Sequence, residues 1–289
     1  MSHPGNKKLL IATLLNLSIT VVQIFGGFLS NSLSLLSDAF HNLGDTSALF
    51  IAWIAGKISR RKPDRHNTFG YKRVEILAAL FNGTVLIAIC IFLLYEAYKR
   101  FINPEPVLSQ VMLVVAVFGL FANLVSIILL HDHKKENLNI KAAYLHLLGD
   151  TLSSIAVVAG GVLMLFFEIY WIDPLISALI SFYIIYHTYS VVKETLDILM
   201  QASPDNINIE EIKNTISKIN EVNNVHHVHV WRLNDAQIHF EAHINLENNI
   251  SVSEMMMVKS KAEQILKNQF EISHTTLQFG YNCCNEYEK

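Results

Sequence analysis

The chain has 289 residues, of which 52% are hydrophobic and only 16% carry a charge. Soluble proteins have about 25% charged residues, so this composition excludes an ordinary soluble protein for the chain as a whole. A net charge of −3, with no basic stripe of interleaved aromatic residues, is too small to imply a nucleic-acid partner, and none is expected. Residues 1–200 contain long apolar runs, whereas residues 203–289 have the composition of a soluble domain.

Six apolar segments are long enough to cross a bilayer, which takes about 20 residues in a helix. They lie near residues 9–29, 33–57, 74–98, 107–130, 140–167 and 172–198. Only helices and closed barrels span a bilayer, and these runs are too long and continuous for barrel strands. The sequence therefore predicts an α-helical membrane protein, with six transmembrane helices within residues 1–202.

Lysine and arginine are concentrated in the even-numbered loops between these segments. Seven of them lie in the second loop: Lys57, Arg60, Arg61, Lys62, Arg65, Lys72 and Arg73. Because short cytoplasmic loops are enriched in these residues, we expect the even loops and both termini to be cytoplasmic. The expected location is multi-pass in the cell (inner) membrane.

Residues 203–289 predict a small cytosolic α+β domain. Apolar spacing favours a helix over 209–220, strands over 225–233 and 237–246, a helix over 251–269 and a strand over 274–280. This α-β-β-α-β order is typical of a ferredoxin-like fold.

Two His/Asp pairs lie inside the predicted membrane spans: His41 with Asp45, and His146 with Asp150. Residues four apart share one face of a helix. A charged side chain at membrane depth costs about 3 kcal/mol on insertion scales, and such residues usually line a substrate path. Two imidazoles and two carboxylates suit a tetrahedral divalent metal, above all zinc. We therefore predict that the four side chains form one metal site.

The charges of this set suggest a mechanism. Two carboxylates offset the two charges of one zinc ion, and without metal their repulsion favours proton uptake. Since metal ligands bind in their deprotonated form, the hypothesis is that metal leaves in exchange for protons. No enzyme is expected, because four protein ligands leave no coordination position for an activated water. The alternative is a membrane metal sensor or storage protein without transport.

Four further polar residues in the spans have two interpretations each. Asp38 stands one turn before His41, where it could assist the metal site as a helper or entry ligand, or cap the start of the helix. Asn16, Gln23 and Asn123 either lie near the ion path or form hydrogen bonds between helices.

Three segments resemble the cation diffusion facilitator family, in its branch of zinc/cobalt/cadmium exporters and animal vesicular zinc transporters. These segments are residues 32–45, 63–75 and 143–150. The resemblance covers nearly the whole chain and implies a homodimer that exchanges cytosolic zinc for protons, with cobalt and cadmium as the other candidate ions. It implies that His41, Asp45, His146 and Asp150 form the transport site. His41 favours zinc, because the manganese- and iron-type relatives carry Asp in its place.

The same resemblance implies that residues 203–289 are a metal-binding and dimerisation domain. His226, His243 and His274 match positions that bind zinc in the family, although exposed strand histidines without metal are the alternative. Gly280 stands where some relatives have an acidic ligand, and Cys283 and Cys284 could supply thiolates instead, across the dimer.

Some relatives bind a second metal in the loop after the second span, with one Asp and two His. Asp64 and His66 are present here, but Asn67 and Tyr71 stand where a His could be. We therefore expect this basic loop to act mainly as a cytoplasmic anchor rather than as a complete metal site.

Overall fold

The computed structural model describes residues 4–131 and 138–282, and the side chains of residues 12–131 and 144–282. The first part of the chain forms six long helices: α1 Pro4–Ser30, α2 Leu33–Ser59, α3 Val74–Ile102, α4 Ser109–His131, α5 Leu138–Phe167 and α6 Ile172–Leu199. The predicted six-helix membrane fold is confirmed, and the segment bounds agree to within a few residues.

Helix α2 is the most polar of the six. Over the described residues, the other five helices have the length, the mean hydropathy and the low number of charged residues of a membrane span. Helix α2 does not meet these criteria of composition. Its 27 residues are still enough to cross a bilayer. The shortfall comes from serines, Asp38, His41 and Asp45, which lie along this one helix.

Helices α1, α4 and α5 form a closely packed group, in which α4 lies against both α1 and α5. Glycines permit this approach. A Cβ atom at Gly119 of α4 would lie 2.7 Å from Nε2 of Gln23 on α1, and one at Gly26 would lie 2.7 Å from a methyl group of Val115. Larger side chains at these two positions would push α1 and α4 apart.

The start of α2 is held by a side chain from α6. Asp173 is fully buried and accepts hydrogen bonds from the hydroxyls of Ser32 and Ser34, at 2.6 Å each. It also accepts from the backbone N–H groups of Leu33 (2.7 Å) and Ser34 (3.2 Å). A carboxylate satisfies the free N–H groups of a helix N-terminus and complements its positive dipole. The cap of α2 is therefore Asp173, and the interpretation of Asp38 as this cap is wrong.

The chain divides into two compact units, one of Met1–Ile54 with Ala78–Val192 and one of Ala55–Leu77 with Lys193–Lys289. Within the second unit, the C-terminal part contains α7 Ile209–Ile216, β1 Val222–Asn234, β2 Gln237–Leu246, α8 Val252–Phe270 and β3 His274–Tyr281. The predicted α-β-β-α-β order is confirmed.

The three strands form one sheet in the order β1-β2-β3, with β1 antiparallel and β3 parallel to β2. Alternation along β2 buries Phe240, Ala242 and Ile244 in the core that includes α7 and α8. Because successive strand residues point to opposite faces, His239 and His243 lie on the other face of the sheet.

Candidate metal centre

The two predicted His/Asp pairs lie against each other between α2 and α5. Asp45 Oδ2 is 3.5 Å from His41 Nδ1 and 3.3 Å from His146 Nε2. Asp150 Oδ1 is 3.6 Å from His41 Nε2, and Asp150 Oδ2 is 3.5 Å from His146 Nε2. Each carboxylate therefore faces both imidazoles, and residues more than 100 positions apart in the sequence share one polar centre.

Each of these separations is close to one edge of a zinc tetrahedron, although together they involve both nitrogens of His41 and both oxygens of Asp150. Zinc bonds to nitrogen and oxygen of 2.0–2.1 Å give tetrahedral edges of about 3.3–3.4 Å. The four N···O distances of 3.3–3.6 Å lie at or slightly above that value. Three of the atoms involved, His41 Nδ1, Asp45 Oδ2 and Asp150 Oδ2, are buried with no hydrogen-bond partner among the described residues.

The orientation of His41 distinguishes this arrangement from a closed coordination cage. Its Nδ1 faces Asp45 and its Nε2 faces Asp150, whereas a metal takes one nitrogen from each imidazole. Accordingly, in the described part of the chain no group of three or more His, Cys, Asp and Glu side chains has the arrangement of a complete metal site. Metal binding at this centre would use only one of the two His41 nitrogens.

The four side chains of the centre differ in how much of their surface is exposed. The side chains of His146 and Asp45 are 41% and 30% exposed, whereas those of His41 and Asp150 are 16% and 2% exposed. Asp45 lies closer to the C-terminal end of α2 than His41, and His146 lies closer to the N-terminal end of α5 than Asp150. The two more exposed side chains therefore lie toward those two helix ends, and the two less exposed side chains lie on the opposite side of the centre.

The loop between α2 and α3 uses Asp64 to fold itself. Oδ1 of Asp64 accepts from the backbone N–H groups of His66 (2.9 Å) and Asn67 (2.7 Å), and Oδ2 accepts from the Tyr71 hydroxyl at 2.6 Å. The hydrogen bond from Tyr71, followed by those from the backbone, lowers the pKa of Asp64 to about 2. A carboxylate engaged in this way is the organising residue of a turn.

Two of the three histidines predicted for a soluble-domain site lie together. His226 and His243 are register partners on β1 and β2, with ring centroids 5.5 Å apart. His227, which the sequence did not single out, lies 4.7 Å from His243 and 4.6 Å from His229. Burial and the neighbouring His227 and His226 lower the pKa of His243.

His227 joins this group because β1 is irregular there. The strand register shifts between His226 and His229, and His227 has a left-handed φ of 52°. Regular alternation would direct His227 away from His226, and a bulge changes the direction of a side chain. A run of three histidines in four residues was the available signal, but a bulge is not visible in sequence alternation.

His274 lies elsewhere on the sheet. It pairs in register with His239, and the two rings are 4.7 Å apart. His239 and His243 are four residues apart on β2, which is about 13 Å along a strand. Within one chain, His274 is therefore not brought to His226 and His243. Cys283 and Cys284 lie outside the described residues.

Comparison with known proteins matches both parts of the chain to one family. Residues 9–200 match the cation efflux transmembrane domain, and residues 204–279 match the cytoplasmic domain of cation efflux proteins. The solved structure of the metal-bound C-terminal domain of the CzcD transporter from Cupriavidus metallidurans aligns with 26% of this chain and 99% of that domain, at 27% identity and a TM-score of 0.23.

Three curated relatives match nearly the full length. The chain is 37% identical over 277 residues to the cadmium, cobalt and zinc/H(+)-K(+) antiporter of Bacillus subtilis, covering 95% of this chain and 89% of that protein. It is 37% identical over 286 residues to the metal cation efflux system protein CzcD of Cupriavidus metallidurans, covering 98% and 90%. It is 36% identical over 281 residues to the zinc transporter ZitB of Shigella flexneri, covering 96% and 88%. The chain thus belongs to the cation efflux, or cation diffusion facilitator, family of multi-pass membrane metal transporters.

Proposed function

We propose that this protein is a secondary active exporter that exchanges cytosolic Zn²⁺ for protons at His41, Asp45, His146 and Asp150. The observation that carries the proposal is the set of four N···O distances of 3.3–3.6 Å between two imidazoles and two carboxylates on α2 and α5. Two imidazoles and two carboxylates this close to one another are donors that suit one tetrahedral zinc ion as the transported substrate, with His41 contributing one of its two nitrogens.

Charge balance explains why metal and protons would exchange. Zn²⁺ with Asp45 and Asp150 is electrically neutral overall, which reduces the cost of holding the ion at membrane depth. When zinc leaves, two carboxylates facing the same imidazoles repel each other, and protons on the carboxyl or imidazole groups remove that repulsion. Zinc and protons therefore compete for the same atoms.

The graded exposure supports loading from one side. Asp45 and His146 form the open edge of the centre, toward the C-terminal end of α2 and the N-terminal end of α5. We assign these ends to the cytosol from the lysines and arginines of the loops that follow α2 and precede α5. At the opposite end of α2, the buried Asp173 accepts hydrogen bonds from Ser32, Leu33 and Ser34 and holds this helix end against α6. This arrangement suits an inward-open state of an alternating-access transporter.

We further propose that residues 1–202 form the transport domain and residues 203–289 a cytosolic domain for metal binding and homodimerisation. His226, His243 and His274 are its proposed metal-binding residues, with His274 contributing at a separate place on the sheet or from the partner subunit. Cobalt and cadmium are further candidate substrates, and K⁺ a second candidate counter-ion, because the Bacillus subtilis relative is named for them.

Metal flux into proteoliposomes tests this proposal. Wild-type protein should carry zinc, and Asp150→Asn should reduce the flux by at least about 100-fold, as expected when an ion ligand at membrane depth loses its charge. Asp197→Asn, on α6, is the matched control and should leave the flux unchanged. Zinc binding by the wild type without any flux would instead indicate a sensor or storage protein.

A further inference from the structure

A second layer of polar side chains lies one helical turn from the proposed transport site. Asp38 precedes His41 and Asp45 by three and seven residues on α2, and Ser154 follows Asp150 by four residues on α5. Residues at these spacings share one face of a helix. The polar face that forms the transport site therefore continues away from its open edge. We call Gln23, Asp38, Asn42, Asn123 and Ser154 the Asp38 layer.

The layer connects four helices through hydrogen bonds. Gln23 of α1 donates from Nε2 to Asp38 Oδ2 at 2.8 Å, and the Ser154 hydroxyl donates to the same oxygen at 3.4 Å. Asn42 donates to Gln23 Oε1 at 3.4 Å, and Asn123 of α4 donates to Ser154 at 3.2 Å. All five side chains are buried, with at most 2% of any residue exposed.

Several oxygen atoms of the layer remain unsatisfied. Asp38 Oδ1, Asn42 Oδ1 and Asn123 Oδ1 are buried and have no hydrogen-bond partner in the part of the chain that the structure describes. Native proteins rarely leave such groups unpaired without a functional reason. The described donors to Asp38 are a neutral amide and a neutral hydroxyl, so neither supplies a charge that would balance a carboxylate. A buried carboxylate with one unpaired oxygen, linked by hydrogen bonds to residues that have unpaired amide oxygens, supplies the donors that a cation site uses.

The donor chemistry identifies the class of cation. The layer offers carboxylate, amide and hydroxyl oxygens, and it includes no imidazole or thiolate. Oxygen donors suit hard cations, whereas zinc is held better by nitrogen and sulfur. One carboxylate balances a single positive charge. We propose that the Asp38 layer binds a monovalent alkali cation, K⁺ or Na⁺, as a second counter-ion for metal export; this proposal rests on the proposed function.

The position of the layer gives such an ion a direct effect on metal. Ser154 contacts Asp38 and lies one turn from Asp150, so the two ion sites are neighbours on α5. Two cations held at this separation repel each other. An alkali cation entering the Asp38 layer would therefore favour release of the divalent ion, and metal entering would favour release of the alkali cation.

Zinc uptake into proteoliposomes with the same pH on both sides tests this inference. Loading the vesicles with K⁺ or Na⁺, in place of a large organic cation, should stimulate zinc uptake by the wild type by about five-fold, within the usual range of coupling between sites. Asp38→Asn should abolish this stimulation and keep most of the zinc uptake that a pH gradient drives. The preferred ion is the one, K⁺ or Na⁺, whose presence inside the vesicles gives the larger stimulation of zinc uptake. Ser18→Ala, at an exposed position on α1, is the control and should behave as the wild type.

Binding to the purified full-length protein gives a second readout. K⁺ or Na⁺ should raise the thermal unfolding temperature of the wild type, because an ion that binds only the folded state stabilises it. Asn123→Ala should reduce this rise in unfolding temperature. Unlike Asp38→Asn, this substitution removes a ligand oxygen without changing the charge of the layer. Stimulation that persists in Asp38→Asn would overturn the inference. So would an absence of any alkali-ion effect in a wild type whose pH-driven zinc uptake is normal, a result that leaves the proposed function intact. Loss of zinc binding in folded Asp38→Asn would make Asp38 a zinc ligand instead.

Discussion

The membrane centre and the soluble-domain histidine group are two proposed metal sites in different surroundings. The membrane centre pairs two imidazoles with two carboxylates between α2 and α5, and it contains the nearly inaccessible Asp150. The soluble group consists of imidazoles on a sheet surface, with His227 only 4.7 Å from His243. Both offer several donors within a few ångströms, but carboxylates are half of the residues in the membrane centre, whereas the soluble group consists of imidazoles with Glu241 as a neighbouring negative charge.

The difference follows from the surroundings. At membrane depth the charge of a divalent ion must be balanced by the site itself, because the bilayer offers no water. At the surface of a soluble domain, water and salt screen the charge of a bound ion, so neutral imidazoles are sufficient ligands. A site that must also release its ion in exchange for protons benefits from carboxylates, whereas a sensing or dimer-stabilising site does not.

The largest expected effect comes from giving the membrane centre the neutral donors of the soluble group. Asp150→His retains four donors, but the zinc-loaded centre would carry one uncompensated positive charge. A cost of about 3 kcal/mol for such a charge corresponds to a loss of roughly 100-fold or more in zinc flux. Flux in proteoliposomes measures it, with Asp197→His as the matched control. Transport within a few-fold of the wild type would show that donor number, rather than charge, determines function.

A smaller effect is expected from the soluble group, and it depends on pH. Metal binds neutral imidazole, and burial together with His227 and His226 lowers the pKa of His243 from 6.5. His243 therefore stays neutral below pH 6.5, and metal binding should persist there and be lost only as the pH falls through the lowered pKa. His227→Ala removes one cause of the shift, so the midpoint of metal loss should move to higher pH.

Zinc titration of the full-length protein as a function of pH measures this midpoint, with Asp150→Asn present to remove binding at the membrane centre. His66→Ala is the control, because His66 is exposed in the loop between α2 and α3 and lies on no strand of the sheet. A midpoint that stays at the wild-type pH in His227→Ala, or that moves as far in His66→Ala, would contradict the grouping of these histidines.

The sequence predicted much of this molecule from spacing alone. Apolar runs located all six membrane helices, since the bilayer fixes their length. The i, i+4 spacing of the His/Asp pairs placed each pair on one helix face, and their approach between α2 and α5 follows from the cost of exposing them to lipid. These features depend on local spacing or on the surrounding bilayer, so they can be predicted from a single sequence.

Contacts between distant segments were not predictable in the same way. Asp173 caps α2 across about 140 residues, and no local pattern connects the two. His227 joins His243 through a strand irregularity with a positive φ, and His274 meets His239 because of the register between two parallel strands. Register and bulges are set by the packing of the whole sheet.

Simultaneous recording of zinc and internal pH in proteoliposomes tests the central claim most directly. With zinc added outside and no other gradient, inward zinc flux by the wild type should be accompanied by proton efflux that raises the internal pH, because zinc displaces protons from the membrane centre. An imposed inside-acid gradient should accelerate zinc uptake, and Asp150→Asn should remove both signals. Zinc flux that leaves the internal pH unchanged and is indifferent to the imposed gradient would contradict the account.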